Sequence, residues 1–172
     1  GVHRWRFMGK NGWMGQFGIK GTLLESTGGQ FDFERGQSED TDLWGSTHDA
    51  RRAEAWVKVG KVFPNRPYAS MGLQLSGNIH HQESTFGNRS YDGDQESFYA
   101  NWIYKTIITD TRHQIKTGAS WQWDHYDEFF EGQVFDRIES VPGVFGEYTW
   151  TGREDFTLVA GLRADYHNLF GA

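Results

Sequence analysis

No cysteine occurs among the 172 residues, so neither a disulfide nor a thiolate-held metal is open to this chain. That absence is compatible with cytosol and cell envelope alike and fixes no compartment. Proline numbers only 3, and Leu and Ala, the residues that build helices, are sparse. No apolar run approaches the ~18 residues of a membrane-crossing helix. The mean hydropathy is −0.70. A β-barrel crosses a bilayer at such an average, because only alternate residues need face lipid. Basic clusters are missing too, and the net charge of −6 argues against nucleic acid as partner. No signal peptide is recognisable. Gly1 enters a strand-like run directly, which implies a mature or truncated product.

What the chain does have is 22 glycines, 8 tryptophans and an aromatic fraction of 16 %. Such a composition suits strands joined by tight turns. Four short polar breaks fall at about 10–12, 64–67, 109–112 and 151–154. Asn11-Gly12 supplies the positive φ angles of a hairpin turn, and Pro64 and Pro67 flank a turn that needs no ladder donor. Three longer polar stretches, about 27–50, 83–95 and 126–140, are expected to be loops. The runs between them are about 10–14 residues each, enough for the ~9–11 that a tilted strand needs to cross a bilayer. About eight strands result, with tight turns at one end and long loops at the other, the asymmetry of outer-membrane barrels.

Within these runs the apolar residues recur with a period of two. Trp13, Gly15, Phe17, Ile19, Gly21 and Leu23 alternate with Gln16, Lys20 and Thr22. Ala53, Ala55, Val57 and Val59 oppose Glu54 and Lys58, with Trp56 breaking the pattern. Leu73, Leu75 and Ile79 oppose Gln74, Ser76 and Asn78, and Leu158, Ala160, Leu162 and Ala164 oppose Thr157, Arg163 and Asp165. A soluble sandwich would show the same alternation. Two details favour a membrane barrel. Aromatics gather at strand ends (Trp13, Phe63, Trp150 and Phe156 by the short turns; Phe98, Trp123 and Tyr166 toward the long loops), where rings prefer the bilayer interface. Charged residues such as Lys20, Glu54, Lys58 and Lys116 sit mid-strand on the polar face, as a watery or plugged lumen allows. An even strand number puts both chain ends on the long-loop side. That is expected of an internal portion of a larger barrel, whose remaining strands come from the same parent chain.

Two stretches carry a family resemblance. Val141-Pro142-Gly143-Val144-Phe145-Gly146-Glu147-Tyr148, with Phe156 to Asn168 after it, resembles the barrel of TonB-dependent outer-membrane receptors. Gly72 to Ser76, Tyr91-Asp92-Gly93 and Ser97 to Asn101 are similar to members from Bacteroides-type bacteria. The resemblance implies an all-β, antiparallel transmembrane barrel of about 22 strands around a plug, of which this chain supplies about eight. It implies uptake of a scarce nutrient (cobalamin, a metal chelate or siderophore, among others) across the Gram-negative outer membrane. The implied partners are lipid, the rest of the barrel, the plug, TonB acting through that plug, and a surface lipoprotein. No plug and no TonB-contacting segment is recognisable here. A passive porin or adhesion barrel is the alternative, and an outer-membrane hydrolase a further one.

For ligand contact, the loop aromatics Trp44, Phe86, Tyr91, Phe129 and Phe130 are candidates, with packing among the loops as the other reading. Lys116, Arg163 and Asp165 are candidates for holding the plug from the lumen. Asp32, Glu34, Asp40 and Asp42 offer oxygen ligands for calcium, although no EF-hand spacing is present and a solvated acidic loop is favoured. Neighbouring His80 and His81 point to opposite faces of a strand, so they cannot share one metal without a bulge. No strained nucleophile motif marks Ser76 or Ser84 for catalysis with His80 and Asp124. Asp127 and Glu128 have no defined separation for glycoside cleavage, and no catalytic residue is expected.

Overall fold

The computed structural model describes residues 1–36, 43–153 and 156–171. Eight strands follow one another: β1 (Val2–Met8), β2 (Trp13–Gly29), β3 (Gly45–Phe63), β4 (Arg66–Phe86), β5 (Arg89–Ile107), β6 (His113–Phe130), β7 (Gln133–Arg153) and β8 (Phe156–Asp165). Each pairs antiparallel with the next in a single open sheet, with β1 and β8 as its two edges.

The turns follow from backbone preference. Asn11 (φ 60°) and Gly12 (φ 79°) both lie in the left-handed region, as the Asn-Gly pair predicts. Pro64 and Asn65 alone join β3 to β4, and residues 108–112 join β5 to β6. The expected loops at 83–95 and 126–140 are corrected. There β4–β5 and β6–β7 continue as paired strands and close through the two-residue turns Gly87-Asn88 and Glu131-Gly132. Positive φ at Gly87, Glu131 and Gly132 permits those turns. Polar residues on both sides of these strands mark water on both faces, not irregular backbone. The 27–50 stretch is shorter as a loop as well, because β2 runs to Gly29 and β3 starts at Gly45.

Register sorts the side chains into two faces, since residues paired across an antiparallel ladder point the same way. One row of the first face reads Phe17, Val57, Leu75, Ala100, Trp121 and Pro142 from β2 to β7. The row beneath reads Gly15, Val59, Leu73, Trp102, Ala119, Val144 and Ala164. Toward the long hairpin tips this apolar band gives way over two rows: Ala53, Ile79 and Ile138 share one with Glu96 and His125, and the next reads Arg51, His81, Asp94, Asp127 and Asp136. The opposite face is polar, with Gln16, Lys58, Gln74, Asn101 and Ser120 in one row. Trp56, out of phase in the sequence, lies on this polar face over Gly18, where an added Cβ would collide with its ring.

Among the described residues the only buried hydrophobic side chain is Ala69. Phe17 (44 % exposed), Leu73 (41 %), Leu158 (47 %) and Leu162 (87 %) stand on one uncovered face rather than meeting between two sheets. The chain is all-β and antiparallel, and its apolar residues form a surface instead of an interior.

Candidate functional site

The polar face is organised by hydrogen bonds between neighbouring strands. Ser97 Oγ donates to Asp124 Oδ1 at 2.5 Å, and Gln122 Nε2 donates to Asp124 Oδ2 at 2.8 Å. Asp124 is buried although it lies on a sheet surface, because both its oxygens are enclosed by these donors. Higher up, the Tyr91 hydroxyl donates to Glu128 Oε1 at 2.8 Å, and Arg137 Nη1 donates to Glu128 Oε2 at 2.5 Å. The Arg137 guanidinium also covers the Tyr126 ring at 4.0 Å and reaches Glu139 at 2.9 Å. Burial and the adjacent Glu128 carboxylate push the Tyr91 phenol up to about 12. Burial tends to raise Glu128, but the Tyr91 and Arg137 donors outweigh it and hold that carboxyl below its ordinary range.

The aromatic candidates divide by face. Phe86, Tyr91 and Phe130 share the polar face, Tyr91 directly opposite Phe130, and Phe86 meets the His48 ring edge-on at 4.9 Å. Phe129 points to the other face, in the row of Glu83 and Asp92. Trp44 lies just before β3 and exchanges hydrogen bonds with Gln30, its ring beside Gly87. Lys116, Arg163 and Asp165 all lie on the polar face. Lys116 is 3.8 Å from Glu147, while Arg163 grips Asp165 through two 2.7 Å bonds and reaches Ser120 at 3.1 Å.

Of the calcium candidates, Asp40 and Asp42 lie outside the described residues. Asp32, at φ 70°, and Glu34 sit in the connection after β2, and among the described residues neither joins a group of three candidate ligands. Among the described residues no hydrogen bond joins any two of Ser76, Ser84, His80 and Asp124. Ser84 Oγ instead contacts His48 Nδ1 at 3.1 Å. Asp127 and Glu128 point to opposite faces.

A second cluster escaped sequence reasoning. On the first face, just beyond the apolar band, His81 lies directly opposite Asp94, and Glu83 directly opposite Asp92. His81 Nδ1 is 2.9 Å from Asp94 Oδ1, and its Nε2 is 3.2 Å from Glu83 Oε1. Those hydrogen bonds, first to Glu83 and then to Asp94, hold the imidazole above its ordinary pKa. The adjacency of His80 and His81 drew attention in the sequence, whereas the real neighbours are 13 residues away in Asp94 and two in Glu83. Glu83, two residues on along one strand face, was readable from the period of two, whereas Asp94 needed the hairpin register. Comparison with protein-family models, curated proteins and solved structures found no match.

Proposed function

We propose that this chain is part of the wall of a Gram-negative outer-membrane β-barrel, a TonB-dependent receptor that imports a scarce nutrient such as cobalamin, a metal chelate or a siderophore. The observation that carries the reading is the apolar band on one face of a single sheet whose other face is polar. Leaving a large apolar side chain in water costs about 1.5–3 kcal/mol relative to burial. A face paved with Phe17, Val57, Leu73, Leu75, Trp102 and Leu158 therefore requires a cover. On β4 the band runs from Met71 to Ile79. At ~3.3 Å per residue and a tilt near ~40° it rises about 20 Å, against the ~25 Å apolar band of outer-membrane barrels. A lipid cover fits that height.

In this reading the polar face lines the lumen, and the hairpins beyond the band stand outside the cell. Ligand contact then falls to the lumen-side aromatics Phe86, Tyr91 and Phe130 rather than to Phe129. Lys116, Arg163 and Asp165 face the plug, and TonB supplies energy through that plug. Because this chain has no cysteine, single cysteines placed in it give a direct test once any cysteines elsewhere in the full-length protein are replaced. Single cysteines at Leu73 and Leu158 should react with a bilayer-dissolved maleimide and resist a charged, water-soluble one, whereas Asn78 and Ser97 should behave oppositely. Equal labelling of both sets would sink the barrel. Uptake that survives dissipation of the proton gradient would replace the energised receptor with a passive porin.

A further inference from the structure

We propose that His81, Asp92 and Asp94 form a binding site for a borderline divalent cation, zinc foremost, on the β4–β5 hairpin. The proposal goes beyond the transport reading and does not depend on it. One ligand atom from each of the three residues lies within 4.8 Å of the others. Tetrahedral zinc with bonds of ~2.0–2.1 Å sets its ligand atoms about 3.3 Å apart, so small side-chain rotations, above all of the exposed Asp94 beside half-buried His81 and Asp92, close the gap. The backbone need not move, because His81 and Asp94 form one cross-strand pair and Asp92 lies two residues before Asp94 on the same face.

The imidazole is already oriented for ligation. Its Nδ1 faces Asp94 while its Nε2 faces Glu83, the arrangement in which a carboxylate fixes the tautomer of a metal-binding histidine. Glu83 is thus a positioning residue. One nitrogen and carboxylate oxygens suit zinc, whereas calcium and magnesium prefer oxygen alone.

The electrostatics of the rim favour a dication. Asp94, Asp127 and Asp136 stand side by side on β5, β6 and β7, and Glu83 stands opposite Asp92. Like charges directly opposed across strands destabilise a sheet. Among the described residues, Arg51 lies across from His81, Arg52 borders the same concavity but pairs with Glu54, and Arg35 pairs with Asp49. Access is open, since His81, Asp94, Asp127 and His125 border a concavity of about 1020 Å³. Water can supply the remaining coordination position.

The test is zinc binding to the full-length protein by calorimetry, with cobalt absorption as a spectroscopic reporter. His81→Gln and Asp94→Asn should each remove one equivalent of zinc binding, or weaken it at least tenfold. His125→Gln, on the neighbouring strand beside Asp136, should leave that equivalent intact. A cysteine at Leu73 that still resists the charged maleimide in each variant shows that the sheet still folds. Zinc binding unchanged by His81→Gln overturns the proposal, as does calcium displacing the zinc at equal concentration, which would mean a carboxylate cluster only.

Discussion

At the scale of single residues, Tyr91 shows how a side chain picked for one role is tied to another. It was legible in the sequence as an aromatic of a polar stretch, but its bond to Glu128 was not, because that partner lies 37 residues away. Since the phenol is raised from 10.0 to about 12, the native state binds its proton more tightly than the unfolded chain does. The stability this contributes is complete below pH ~10 and drains away as pH rises toward 12. The ultraviolet difference titration between the protein and Tyr91→Phe should therefore centre near about 12. A midpoint near 10 would show the hydroxyl to be unbonded. Tyr91→Phe should also cost about 1.5–3 kcal/mol in a denaturant titration, the net worth of a hydrogen bond to a charged acceptor.

At the scale of elements, the hairpins are held by turns and by groups that bridge strands. Gly12, at φ 79°, sits where an added Cβ would strike the Val62 carbonyl. Gly12→Ala should lower stability by more than ~1 kcal/mol, through backbone strain and collision together, in a denaturant midpoint measured against wild type. Glu128 links β5 to β7 through Tyr91 and Arg137. Its folded carboxyl titrates below the ordinary 4.5, so its contribution is present above that value and is lost as pH falls through the folded one. Hydrogen exchange should report loosening of residues 124–139 as pH falls below the ordinary 4.5 and through the lowered folded value, and Glu128→Gln should remove that pH dependence. Strand identity and face were readable because the period of two survived nearly everywhere. Strand length was not. From Glu83 to Asp94 and from Asp127 to Asp136 polarity rises on both faces, and a paired strand in water then looks like a loop.

At the scale of the whole molecule, the sheet separates two surfaces of opposite character, and a charge should be accepted on one only. In the full-length protein within a bilayer, Leu75→Arg on the apolar band should cost about 2–4 kcal/mol. Asn78→Arg, three residues on and facing the other way, should be close to neutral. Equal penalties, read from unfolding midpoints in lipid, would contradict a one-sided hydrocarbon cover. The paired hairpins carry a practical consequence of their own. Beyond Ile79 and Trp123, β4 and β6 run on for roughly 20 Å along the strand before turning. If the proposed barrel is right, foreign peptide spliced in at Gly87-Asn88 or Glu131-Gly132 would emerge from a stiff two-stranded arm clear of lipid, where antibodies on intact cells should reach it and the rest of the ladder should keep its register.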